Sequence, residues 1–88
     1  MSHHDTRLSL ESTLEQLRER IAEALPGAAV DVGGGGGHFT ITVVSDAFEG
    51  QNTLGRQRMV YSAITELMSG DDAPVHAVDQ MITKTPSE

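Results

Sequence analysis

His38 and His76 are the side chains of this sequence best suited to chemistry. Each stands near the start of a stretch that reads as a β-strand. His38 opens His-Phe-Thr-Ile-Thr-Val-Val-Ser directly after five consecutive glycines, Gly33 to Gly37. His76 is the second residue of an expected strand that starts at Val75. Near neutral pH an imidazole is the commonest metal-ligating side chain. Two ligands are too few for a closed structural zinc site, and the chain contains no cysteine to add thiolates. Two histidines completed by two thiolates do hold a [2Fe–2S] cluster in Rieske-type ligation. The residues alone leave two readings open: hydrogen-bonded surface imidazoles, or half of a metal site whose other half comes from a partner. His3 and His4 lie in the polar start of the chain and are read as idle.

Other devices are absent or weak at the level of sequence. Nucleophilic catalysis needs a nucleophile next to a base, and no pairing of residues marks one, so the chain is not expected to be an enzyme. Asp71-Asp72 follows Gly70 and precedes Ala73-Pro74, the composition of a solvated turn. The glycine run has neither the Lys-Ser/Thr ending of a P-loop nor the spacing of a dinucleotide fingerprint. A strand follows it rather than a helix, which argues against phosphate cradling. Arg56 and Arg58 are two of only six basic residues. They fall early in a helix, where positive charge opposes the dipole, so a use in binding phosphate or an acidic partner stands beside the simpler reading of a polar helix face.

The elements that position these residues follow from periodicity. Leu10, Leu14, Leu17, Ile21 and Leu25 recur at helical spacing. Ser12 and Glu15 have capping-box spacing, with Ser9 the alternative cap of a slightly longer helix, and Pro26-Gly27 ends the pattern. Glu11, Glu15, Glu19 and Glu23 form an acidic ridge read as a solvated face, partly offset by Arg18 and Arg20. Ala28, Val30 and Val32 alternate as a short strand. Phe39, Ile41 and Val43 then point to one face of a second strand, and His38, Thr40 and Thr42 to the other. The two strands make a hairpin joined by a long, mobile glycine loop. Asp46 to Asn52 is a connection with a helical turn near Ala47-Phe48. A second helix runs from Thr53 to Ser69 and buries Val60, Ile64 and Leu67, flanked by Ala63 and Met68. The third strand follows from Val75. Helix, strand, strand, helix and strand make a small α+β domain of two layers, with residues 1–9 a flexible N-terminus and residues 10–88 one domain.

Length and charge narrow the function classes. A chain of 88 residues makes one domain that buries about 60–65% of its unfolded surface. No apolar run approaches the ~20 residues that cross a bilayer, and the polar start lacks the apolar stretch of a signal peptide. No membrane association is expected, and the expected location is cytoplasmic. The formal net charge of −7 disfavours phosphate at long range.

Taken in order, His38-Phe-Thr-Ile-Thr-Val-Val-Ser, Phe48-Glu-Gly50, Arg56-Gln-Arg-Met-Val-Tyr61, Val75-His-Ala-Val78 and Thr85-Pro86 closely resemble the BolA family. The resemblance runs from about Leu10 to the last residue. It implies an α-β-β-α-α-β order like the type II KH fold: a three-stranded mixed sheet with helices on one face. The family's terminal helix after Thr-Pro is expected to be short or missing here. The resemblance also implies a partner, a monothiol glutaredoxin, whose cysteine and glutathione supply thiolates to a shared [2Fe–2S] cluster. On this side the ligands would be His76, which matches the family's third-strand His, and His38, which best matches the His or Cys between the first two strands. The chain alone is expected to be a monomer without cofactor, forming a heterodimer with that partner in iron–sulfur trafficking or iron and stress regulation. The alternative is a DNA-binding transcriptional regulator of the BolA type, with Arg56, Arg58 and Lys84 touching phosphate. The KH module clamps nucleic acid through a G-x-x-G loop, whereas the glycines here lie in a hairpin. Two departures stand out. Gln57 occupies a position where the family often has His, and the stretch from His76 to Pro86 is one residue longer than usual, so a bulge is expected there.

Overall fold

Phe39, Ile41 and Val43 alternate into the interior with His38 and Thr40 outside, and this period of two fixes the central strand of the sheet. The computed structural model describes residues 6–88. Helix α1 spans Thr6–Ala24, β1 Ala29–Gly35, β2 His38–Val44 and β3 Ala77–Lys84. A single 3-10 turn at Asp46–Phe48 precedes helix α2, Thr53–Met68. The sheet order is β1-β2-β3, with β1 antiparallel and β3 parallel to β2. This is the expected α+β domain with a mixed three-stranded sheet, and the helical turn near Phe48 stands for the middle helix. Pro86 and Ser87 form a turn rather than a terminal helix.

One layer of side chains joins the helices to the sheet. Leu17, Ile21 and Leu25 of α1 and Val60, Ile64 and Leu67 of α2 pack with Val32, Phe39, Ile41 and Val43 of the sheet, closed by Phe48 and Val75. Asn52 caps α2, its side chain accepting from the Gly55 N–H at 2.8 Å. The α1 ridge of Glu11, Glu15, Glu19 and Glu23 is exposed as expected. Arg18 pairs within it to Glu15 at 3.2 Å, and Arg20 crosses to Glu66 on α2 at 2.8 Å.

Three expectations are corrected. Helix α1 starts at Thr6 rather than near Leu10, so Ser9 and Ser12 are interior residues and cap nothing. The Ser9 carbonyl accepts from Thr13 Oγ1, and Ser12 accepts from Gln16 Nε2, the back-bonding of residues inside a helix. Of the N-terminus expected to be flexible, residues 1–5, with His3 and His4, lie outside the described residues, and the rest is helical. The expected glycine loop is mostly strand. Gly33, Gly34 and Gly35 pair with Thr40, Phe39 and His38, leaving only Gly36 and Gly37 to turn. Their φ angles of 62° and 83° are those of a type I′ turn, which suits the twist of a two-residue hairpin. Strand β3 starts at Ala77, not Val75. The Val75 N–H donates to Leu67 and its side chain is fully buried, while His76 bonds to the hairpin turn instead of to the β2 ladder.

The expected bulge is present. Val78 pairs with Phe39 and Gln80 with Thr40, so Asp79 is the extra residue, with no partner on β2. Asp79 and Gln80 are consequently both exposed, and Met81 returns to the packed face beside Ile41.

Candidate functional site

Both histidines lie beside the hairpin turn. His38 follows Gly37 in the chain and faces solvent opposite Ala77. His76 reaches the same turn from the other side. Its N–H and that of Ala77 both donate to the Gly37 carbonyl, at 2.8 and 3.0 Å. Its ring lies over the Gly37 α-carbon: a Cβ at that position would fall 2.5 Å from the imidazole Cδ2. Gly37 is therefore required twice, by its positive φ and by the imidazole against it. Buried Val75 on one side and the Gly37 bonds on the other fix the backbone of His76 while its side chain stays exposed.

His38 is held differently. Its Nδ1 lies 3.0 Å from Asp79 Oδ1, and both side chains are more than half exposed. The bulge leaves Asp79 on the solvent face next to His38. Gly34 serves the same strand end from the other side: at φ 117° its missing Cβ clears the His38 carbonyl and the Phe39 α-carbon.

Among the described residues, no three His, Cys, Asp or Glu side chains are grouped to hold a metal ion. The chain presents two accessible imidazoles on one turn, a donor set that fits the imidazole half of a cluster with two His and two thiolate ligands.

Of the residues expected to touch phosphate, Arg56 and Lys84 lie at the other end of β2 and β3. Only 15% of the Arg56 side chain is exposed. Its guanidinium makes a bidentate pair with Glu88, at 2.7 and 3.1 Å. It also donates to the carbonyls of Gln51 and Thr83 and stacks over Phe48, 5.9 Å from the ring centre. The guanidinium, helped by the Thr85 N–H, holds the Glu88 carboxyl well below the usual 4.5, at about 2. Hydrogen bonding to Glu88 in turn raises the Arg56 pKa. Arg58 is exposed and, two residues on, points about 200° around the helix from Arg56. Lys84 is exposed at the end of β3, opposite Val44. Gln57 is half-buried in α2.

The family model for BolA-like protein matches residues 10–88. This chain belongs to the BolA-like family. An Acinetobacter guillouiae protein, described as an uncharacterized protein in the rpoN-murA intergenic region, is 38% identical over 64 residues, covering 73% of this chain and 75% of its own. BolA-like protein 1 of Mus musculus is 43% identical over 51 residues, which are 58% of this chain but only 34% of the mouse protein. The BolA-like chain thus spans about a third of that relative. BolA1 from Arabidopsis thaliana superimposes with a TM-score of 0.72 at 29% identity, covering 85% of this chain and 93% of that one. The BolA-like fold is therefore shared over nearly the whole chain.

Asp79 and Glu88 were not among the residues singled out from sequence. The extra residue between His76 and Pro86 was the available signal for Asp79. Thr85-Pro-Ser-Glu88 has the spacing of a capping box with Pro at the first position, and Glu88 does reach back to the Thr85 N–H at 3.0 Å.

Proposed function

We propose that this BolA-like chain is a non-enzymatic interaction module that pairs with a monothiol glutaredoxin. In that complex His76 and His38 are ligands of a shared [2Fe–2S] cluster, with thiolates from the glutaredoxin cysteine and glutathione. The observation that carries this reading is the placement of both exposed imidazoles on the Gly36-Gly37 turn. When bound, the cluster supplies iron for thiolate and imidazole ligation, and the complex would serve iron–sulfur trafficking or iron and stress regulation. The chain's own part is to hold two neutral nitrogen donors at a fixed edge. The hairpin turn sets His76 through the Gly37 carbonyl, and the bulge sets His38 through Asp79. A chain without cysteine leaves every thiolate to the partner, which suits a compartment that keeps thiols reduced, such as the cytoplasm. Among the described residues no helix is long and apolar enough to cross a membrane.

The test is reconstitution of the cluster on the mixture of this chain, a monothiol glutaredoxin and glutathione, read by visible absorbance and circular dichroism. Replacing His76 with Ala is expected to abolish the bands specific to the mixed complex. An unchanged spectrum removes His76 from the site. The DNA-binding alternative has less support, since Arg56 is already neutralised by Glu88 and does not share a face with Arg58. A mobility shift at low salt that weakens with Arg58→Ala would revive it.

A further inference from the structure

Among the described residues, His38 is the one of the two candidate ligands with a carboxylate against its ring. Asp79 Oδ1 lies 3.0 Å from His38 Nδ1. An ionised carboxylate only accepts hydrogen bonds, so the Nδ1 atom that faces it carries the proton. In a neutral imidazole that leaves the lone pair on Nε2. Metal-ligating histidines are characteristically oriented this way, with the non-ligating N–H donated to a carboxylate or carbonyl that fixes tautomer and ring direction.

The backbone explains why a carboxylate is there. Removing residue 79 from the register would leave every other pair of β2 and β3 in order, Phe39 with Val78 and Thr40 with Gln80. The sheet does not need the residue, and bulges commonly serve to aim a side chain. Here the bulge delivers Asp79 to the solvent face beside His38.

We propose that Asp79 is a positioning residue, which the β3 bulge sets against His38 so that the ring holds its proton on Nδ1 and presents Nε2 to a metal. This rests on the reading of His38 as a ligand and adds the atom that ligates and the group that selects it. Asp79 itself touches no metal in this arrangement. Its role is to remove the freedom of the His38 ring to rotate and to exchange tautomers.

The test uses the isolated full chain and has two arms. The first is nitrogen-15 NMR of the imidazole rings, at a pH where His38 is neutral. The wild type is expected to show the Nδ1–H tautomer at His38. The Asp79→Ala protein should revert to the Nε2–H form that predominates for a free neutral side chain. The second arm titrates Zn2+ as a probe metal and follows the same ring nitrogens. Zn2+ should act at Nε2 of His38, and Asp79→Ala should weaken that response about tenfold or more, as loss of such partners does elsewhere. Asp79→Asn can turn an amide N–H as well as an oxygen to Nδ1, so it should lose the Nδ1–H preference and weaken the Zn2+ response. A wild-type His38 protonated on Nε2 overturns the proposal. So does a His38 tautomer or Zn2+ response that Asp79→Ala leaves unchanged, or a wild-type His38 that gives no Zn2+ response. If both arms succeed while cluster reconstitution with glutaredoxin fails, the cluster reading falls and the role of Asp79 stands.

Discussion

Two groups of polar side chains sit at opposite ends of β2 and β3, about 20 Å apart along the strands, and they are built on opposite plans. At one end Arg56 is closed in. Its donors meet Glu88, Gln51 and Thr83, and its flat face lies on the fully buried Phe48. At the other end His38 and His76 are exposed, His38 with Nδ1 against Asp79 and His76 with its backbone and ring held at Gly37. A charge whose partners all come from its own chain fastens structure. A fixed side chain with an unused lone pair is prepared for something outside the chain. That contrast separates the two sets of candidates, although in the sequence both were simply polar residues near element ends.

The largest expected effect is at the closed end. Truncating Phe48 to Ala removes a core ring and the platform under Arg56, and should cost about 3–5 kcal/mol in denaturant unfolding. A cost under about 1 kcal/mol would mean that the closed end is not structural. Next is the turn. Placing Ala at Gly37 puts a Cβ at positive φ and against the His76 ring, which should cost about 1–3 kcal/mol and displace His76, visible as shifted His76 ring resonances in NMR. Smaller and dependent on pH is Glu88→Gln. The folded carboxyl is held at about 2, against 4.5 unperturbed, so its ionised contribution is complete above about pH 4.5. It is lost as pH falls through about 2, because the unfolded state binds the proton first. The stability gap between wild type and Glu88→Gln, measured by thermal unfolding across that range, should therefore shrink as the solution is acidified. A gap that widens on acidification would contradict the pairing. The smallest effect belongs to Arg58→Ala, an exposed position expected to stay within about 0.5 kcal/mol of wild type in the same unfolding measurement.

What could be read from the sequence follows side-chain period. The alternation of Phe39, Ile41 and Val43 and the stripe of Val60, Ile64 and Leu67 are carried by side chains, and both elements stand where their periods put them. Glycine carries no such signal. Gly33 to Gly35 look the same whether looped or paired, so the ladder that makes them strand was not legible, although Gly-Gly is a known two-residue turn. The start of β3 was misplaced for a related reason: Val75 is apolar because the core takes it, not because the sheet does. His38 and His76 could be named from sequence, but not the turn that brings them together, since they are far apart in the chain. Arg56 could be seen as a cation, but not as a neutralised one, because Glu88 lies beyond a strand and meets it only after β3 pairs with β2.

The central claim is that the hairpin turn is the working end and the Arg56 end is scaffold. The most direct measurement is visible circular dichroism of the [2Fe–2S] complex reconstituted with a monothiol glutaredoxin and glutathione, comparing His76→Ala with Arg56→Ala, below the unfolding temperature of both. The account predicts that His76→Ala loses the bands of the mixed complex while Arg56→Ala keeps them. Retention of those bands in His76→Ala, or their selective loss in a folded Arg56→Ala protein, would contradict it.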